Sequence, residues 1–232
     1  MKLLKEGKAK KIFISEQKGF LIQYFKDDAT AFNSKKKDSF EGKGILNNKI
    51  TSSIFTYLNN NNIQTHFVKK INDREQLVKE LNIIPLEVVM RNLTAGSFTT
   101  RLGQKRGEKI SPPILEYYLK SDELNDPLIN KSHILYLKLA SKDELEDIEN
   151  KTILINKLLS KFFNDLNIDL VDFKLEYGKL ENDLILADEI SPDNCRLWDK
   201  DTKQSLDKDL YRNNTGNILT AYNEVLKRIE NV

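Results

Sequence analysis

Apolar residues fall at every second position over residues 170–178 (LVDFKLEYG), where Val171, Phe173, Leu175 and Tyr177 alternate with Asp172, Lys174 and Glu176. A period of two predicts a strand with one core face and one face reading acid, base, acid. Residues 8–14 (KAKKIFI) and 20–25 (FLIQYF), joined by SEQKG, predict a β-hairpin. Leu46, Ile50, Ile54 and Leu58 recur at helical spacing and predict a helix over 45–60. Val- and Ile-rich runs at 66–71 and 86–90 predict strands, and Pro112, Pro113 and Pro127 predict an irregular segment over 102–130. SKDE is a capping box that opens a long helix at Ser141, with Leu145, Ile148, Ile155, Leu158, Phe162 and Leu166 as its stripe. A last helix carries Ile218, Tyr222, Val225 and Ile229. Strands early and helices mixed in later predict an α+β fold, a two-lobed α/β architecture divided into 1–84, mainly antiparallel sheet, and 85–232.

Composition narrows the class. The chain has 232 residues, 39% hydrophobic and 31% charged, which suits one large globular domain or two small ones. Lys and Arg number 37 against 35 Asp and Glu, so no basic excess points to nucleic acid. The single cysteine excludes an internal disulfide and fits a reducing cytoplasm. Residues 1–14 have no apolar signal region, and no run approaches the ~20 apolar residues of a membrane span. There is no internal repeat.

Candidate chemistry concentrates in LADEISPDNCRLWDK, residues 186–200. The apolar run 184–187 ends in Asp188 and Glu189. A hairpin centred near Asn182 would place Glu176 opposite Asp188, with Cβ atoms about 5 Å apart. Like charges so placed need a cation between them, and two hard oxygen donors without His or Cys suit Mg²⁺. A solvated polar face bridged by Lys174 is the other reading of this strand, and both stay open.

Phosphate contacts have weaker signatures. There is no Walker A sequence and no GxGxxG turn. EGKAKK puts Lys8 and Lys10 on one strand face, where they either grip phosphates or are solvated. RNLTAGSF places Arg91 after a strand and Gly96-Ser97 beyond it, either a phosphate site or a turn with a surface arginine. Lys35 to Lys37 reads as a solvated loop, Cys195 as packing and Trp198 as a core anchor. His66 and His133 lack partners at metal-ligand spacing. Arg196 either pairs at the surface with Asp193 or Asp199, or addresses a phosphate.

Seven segments together are similar to one family. EGKAKKIF, DDATAFNSKKKDSFEGKG, PLEVVMRNLTAGSF, DELNDPLIN, LVDFKLEYG, LADEISPDNCRLWD and LDKDLYR occur in order to about Arg212 and resemble the phosphoribosylaminoimidazole-succinocarboxamide synthases, the SAICAR synthetases of purine biosynthesis. The resemblance implies a fold distantly like kinase and ATP-grasp nucleotide folds, with ATP between the lobes. It implies ligation of L-aspartate to the carboxylate of CAIR, the carboxylated aminoimidazole ribonucleotide, with ATP as co-substrate, through an acyl phosphate. It implies Lys8, Ala9 and Lys10 at the nucleotide phosphates, and Glu176 and Asp188 at an Mg²⁺-nucleotide. Arg91, Ser97 and Arg196 match the CAIR-phosphate contacts. Asp172 and Arg212 match substrate-side positions, and Lys174, Asp126 and Asp193 match catalytic ones. It further implies a cytoplasmic homodimer with small-molecule partners, no nucleic acid and no membrane. Thr94, where the family often has Ala, is a small departure. A small-molecule kinase of similar architecture and a non-enzymatic nucleotide- or RNA-binding module are the competing readings.

Overall fold

The computed structural model describes residues 2–31 and 36–231, so Lys35 of the triple lysine lies outside the described residues. The chain begins with strands β1 (Leu3–Glu6), β2 (Lys10–Ile14), β3 (Phe20–Phe25), β4 (Asp28–Ala31) and β5 (Lys36–Ser39), then helix α1 (Lys43–Asn60). Strands β6 (Phe67–Lys70), β7 (Glu75–Lys79), β8 (Asn82–Ile83) and β9 (Leu86–Leu93) follow. Next come α2 (Gly96–Leu102), β10 (Lys109–Leu119), β11 (Leu128–Ile129), α3 (Lys131–Tyr136) and α4 (Lys142–Asp165). The chain ends with β12 (Ile168–Leu180), β13 (Asp183–Ala187), β14 (Cys195–Asp199), α5 (Asp209–Asn213) and α6 (Ile218–Glu230). The mixed helix-and-sheet class read from the sequence is the observed one. None of the described helices is long and apolar enough to cross a membrane.

The strands form a five-stranded sheet in the order β1-β2-β3-β7-β6, a seven-stranded sheet, and the small pair β4-β5. In the seven-stranded sheet β11-β10-β9-β12-β13 run in sequence, with β14 and β8 also paired to β12. Strand β12 is therefore the hub. Val171, Phe173, Leu175 and Tyr177 are all buried, as the alternation predicts, and so are Asp172 and Glu176 on the opposite face. That burial removes the solvated-face reading of the acidic side.

Two local expectations are corrected. The two-residue turn Glu181–Asn182 closes the β12-β13 hairpin, so Glu176 lies opposite Ala187 and not Asp188. Glu181 takes φ 55 to make this turn, and Asp188 falls one residue past the strand. The segment expected to be irregular contains the eleven-residue β10, prolines included. Pro112 and Pro113 sit in the register shift between Lys109 and Ile114, where the ladder demands no regular N–H donors.

The long helix starts as expected. Ser141 and Glu144 make both bonds of the capping box. Its buried line is Leu145, Ile148, Thr152, Ile155, Asn156, Leu159 and Phe163, so Leu158 and Phe162 are only partly covered. Thr152 and the hydroxyl of Tyr177 share a buried 2.8 Å hydrogen bond that ties α4 to the hub strand. Helix α1 buries Ile50, Ile54, Phe55 and Leu58 and packs against α6, bringing residues far apart in sequence behind the loop that follows β13. Trp198 is buried with Ala95 and Val171, and Cys195 is a buried free thiol.

Candidate active site

Strand β12 turns Asp172, Lys174 and Glu176 to one side, and the chain leaving β13 adds Asp188 and Glu189. Asp188 has φ 67, a left-handed conformation that a non-glycine residue adopts only under local constraint. Its carbonyl accepts a hydrogen bond from Gln23 Nε2 at 3.2 Å, a tie from β3 to this turn. Lys10 reaches across from the first sheet and bonds Asp188, with Glu189 Oε1 at 3.0 Å. Lys174 Nζ lies 2.8 Å from Glu87 Oε1, 2.8 Å from Glu176 Oε1 and 3.9 Å from Asp188 Oδ2. Lys120 takes the other oxygen of Glu176. Four carboxylates thus face three ammonium groups in a largely buried cluster.

Burial by itself would push the Asp188 carboxyl up. The charges of Lys10, Lys174 and Lys120 outweigh it and hold the group well below the usual carboxylate range. Burial and the nearby Asp188 likewise press Glu176 upward, and Lys174 and Lys120 bring it down. Burial disfavours the Lys174 charge, yet Glu176, Asp188 and Glu87 keep it ionised far above neutral pH. Glu176 and Asp188 are thus held as carboxylates and Lys10 and Lys174 as ammonium groups, the charge states that bind a cation and a phosphate.

The donor chemistry fits Mg²⁺. No three His, Cys, Asp or Glu side chains among the described residues are grouped to hold a metal unaided. Glu176 and Asp188 offer hard oxygens, which matches an ion that takes one or two carboxylates and fills its shell with water and phosphate oxygens.

Beside the cluster lies a cleft of about 360 Å³ lined by Lys8, Arg91, Ser97, Lys174, Arg196 and Arg212 among others. Its floor is an alternating chain of charge. Arg91 donates to Glu116 Oε2 and to Asp172 Oδ2, each at 2.7 Å. Asp172 also accepts from Arg196 at 2.8 Å, and Arg196 Nε donates to Asp209 Oδ2 at 2.8 Å. Asp209 in turn accepts from Arg212 at 2.5 Å. Arg196 therefore pairs with neither Asp193 nor Asp199. Gly96 has φ 55, and a Cβ there would overlap the Arg196 guanidinium, so the glycine lets that fork lie against the start of α2.

Asp193 closes the back of the cleft. One oxygen accepts from Lys43 and from Asn47 Nδ2 at 2.9 Å, the other from the Tyr222 hydroxyl at 2.7 Å. Burial opposes its charge, and Lys43 and Lys208 more than compensate, so it stays ionised. The bonds join α1, α6 and the turn between β13 and β14.

A profile of the SAICAR synthetase family matches residues 3–229. The chain is 53% identical over 231 residues to the phosphoribosylaminoimidazole-succinocarboxamide synthase of Listeria welshimeri, covering 99% of this chain and 98% of that one. The chain belongs to the SAICAR synthetase family. The crystal structure of the synthase from Ehrlichia chaffeensis superposes with a TM-score of 0.97 at 48% identity, covering 100% of this chain and 99% of that one. A SAICAR synthetase in complex with ADP superposes at 0.96 with 45% identity, covering 100% and 98%.

Against the family resemblance, the structure gathers most of the expected positions and leaves two aside. Lys8, Arg91, Ser97, Asp172, Lys174, Asp193, Arg196 and Arg212 line one cleft. Lys10, Glu176 and Asp188 join it through the ion pairs of Lys174. Ala9 accepts from the Lys26 N–H at 2.8 Å and holds the strand that positions its two lysine neighbours. Asp126 is not among the residues lining this cleft, and its Oδ1 accepts from the Ser121 N–H at 2.9 Å across a turn. The same turn carries Asp122, which pairs with Lys8 at 2.6 Å. Sequence reasoning missed Lys120, Glu87, Lys43, Asp209 and Lys208. Asp209 and Lys208 stand in the LDKDLYR segment, so that motif was their signal; Lys120 lay in a stretch read as irregular.

Proposed function

We propose that this chain joins L-aspartate to the carboxylate of CAIR, with ATP as co-substrate, giving SAICAR, ADP and phosphate. The observation that carries it is the cluster of Lys10, Lys174, Glu176 and Asp188 beside the Arg91–Asp172–Arg196 relay, in a family member matched over nearly its whole length. In this reading residues 1–84 form a nucleotide-binding lobe and residues 85–232 a lobe carrying the metal and ribonucleotide sites, with ATP between them. Lys8 and Lys10 hold the nucleotide phosphates, with Ala9 fixing their strand. Glu176 and Asp188 would hold Mg²⁺, which, when bound, neutralises charge on the phosphates being cleaved. Arg91, Ser97 and Arg196 take the CAIR phosphate, and Asp172 fixes the two guanidinium planes relative to each other.

The γ-phosphoryl group passes to the CAIR carboxylate and ADP departs. The aspartate amine then attacks the acyl carbon and phosphate leaves with the bonding electrons. No protein nucleophile is required, and the buried Cys195 thiol, raised by burial, stays protonated and inert. Lys174 stabilises charge on the transferred group. Asp193 acts as a positioning residue, because its bonds to Lys43, Asn47 and Tyr222 tie α1, α6 and the turn after β13 together behind the cleft. Asp126 acts through its turn, which sets Asp122 against Lys8. Arg212 orients Asp209 and through it Arg196. We place the protein in the cytoplasm as a homodimer without nucleic-acid or membrane partners.

The test is a coupled assay in which ATP, CAIR and aspartate are omitted in turn. ADP and phosphate should appear together only with all three. Equal ADP formation without aspartate, with a stable phosphorylated product, would instead establish a kinase.

A further inference from the structure

Six cationic side chains line the cleft of about 360 Å³: Lys8, Arg91, Lys174, Arg196, Lys208 and Arg212. Five have a carboxylate partner within ion-pair distance. Lys8 has Asp122 at 2.6 Å, Arg91 and Arg196 share Asp172 at 2.7 and 2.8 Å, Lys174 has Glu176 at 2.8 Å, and Arg212 has Asp209 at 2.5 Å. Lys208 has no ion pair and no side-chain hydrogen bond among the described residues, although it is only 9% exposed.

The negative charge that acts on it most, Asp193, is already bonded by Lys43, Asn47 and Tyr222. Burial therefore works on an ammonium that is only diffusely compensated, and its pKa falls below the usual lysine value. An unpaired charge taken out of water is costly unless something pairs with it. Here the open side faces a ligand cleft, so the missing partner is an anion from solution.

Position narrows which anion. The backbone N–H of Lys208 donates to the Pro192 carbonyl at 3.1 Å, and the N–H of Lys174 donates to the Asn194 carbonyl at 3.0 Å. Both lysines are thus anchored to the same short turn. Arg91 is instead held by Glu116 and Tyr118, on β10. Resting on the function proposed above, the nucleotide phosphates fall to Lys8 and Lys10 and the CAIR phosphate to the Arg91 and Arg196 forks. Lys174 serves the CAIR carboxylate that receives the phosphoryl group, so what remains are the carboxylates of the amino acid. A single ammonium is a point charge with three rotatable donors and suits a monodentate carboxylate better than it suits a fork-shaped phosphate contact.

We infer that Lys208 binds a carboxylate of the aspartate substrate. The test compares Lys208→Met, which keeps the stem and drops the charge, with Lys208→Arg, which keeps the charge. In the Met variant the KM for aspartate should rise about 10- to 100-fold, the range of one charge-assisted hydrogen bond, while KM for ATP and for CAIR stay within about twofold. The Arg variant should recover part of the aspartate affinity. Thermal stability of the Met variant should equal or exceed that of the parent, because a poorly paired buried charge is gone, whereas a merely structural lysine would lower it. Calorimetric titration of the ADP-loaded protein with succinate supplies a readout without turnover: the parent should bind and the Met variant should not.

An unchanged aspartate KM, equal succinate affinity in both proteins, or a rise confined to CAIR each overturns the assignment. If the Met variant does not fold, Lys208→Gln is read by the same titration. If the parent turns over without aspartate, the proposed function fails; the succinate titration then still decides Lys208, and a parent that binds no succinate overturns it too.

Discussion

Replacing Asp188 by Asn separates two accounts of the carboxylate cluster. If Glu176 and Asp188 faced each other as an unrelieved like-charge pair, the substitution would leave stability unchanged or raise it. The structure gives the opposite sign. Asp188 is the partner of Lys10, and the two side chains are 17% and 13% exposed. Removing one member of a buried ion pair costs about 3–5 kcal/mol. Lys10 keeps Glu189 at 3.0 Å, and Lys174 keeps Glu176 and Glu87, so the loss belongs at the low end, about 3 kcal/mol. For a chain of this size that lowers Tm by about 6–12 °C. Calorimetric melts at pH 7 measure it. The pH dependence adds a second check. The folded-state pKa of Asp188 is depressed, so its contribution is present above the unfolded value of 3.8 and is lost as pH falls through the folded one. The gap between parent and variant should therefore narrow below about pH 4. A variant as stable as its parent at pH 7 would refute the lysine-compensated cluster, whatever happens to turnover.

Other substitutions probe neighbouring parts. Arg196→Lys should weaken CAIR binding about 10- to 100-fold and leave ATP affinity nearly intact, because an ammonium cannot bond Asp172 and Asp209 while also presenting a planar fork; separate calorimetric titrations decide, and equal losses for both ligands would count against the assignment. Gly96→Ala should cost about 1–3 kcal/mol in urea unfolding and also weaken CAIR binding, since its methyl meets the Arg196 guanidinium at a positive φ; a neutral result would show that α2 yields freely. Burial depresses His66 to about 4, so its stabilising contribution is present above the unfolded value of 6.5 and is lost as pH falls toward 4, about 3 kcal/mol in all. Asp207, raised to about 7 by burial and by Asp209, changes stability in the opposite direction over the same window. The reading must therefore be the difference between parent and His66→Phe, which should vary by about that amount between pH 6.5 and 4 and otherwise shows His66 to be solvated.

Local signals in the chain were enough for the elements themselves. The alternation in LVDFKLEYG specified both the hub strand and its charged face, because side-chain direction in a strand depends only on position. The capping box at Ser141 set the start of α4 with the same economy, since its two bonds span three residues. The motifs also named most of the residues that meet in the cleft. What tertiary structure alone decided is how their charges are balanced. The register of the β12-β13 hairpin turned on which two residues make its turn, and a shift of one position separated Glu176 from Asp188. The counter-charges Lys10, Lys120 and Lys43 lie 178, 56 and 150 residues from their carboxylates. Their arrival depends on sheet order and on α1 packing against α6. Periodicity along a chain reports which way a side chain points; only the folded arrangement determines which opposite charge it finds there, and which lysine it leaves without one.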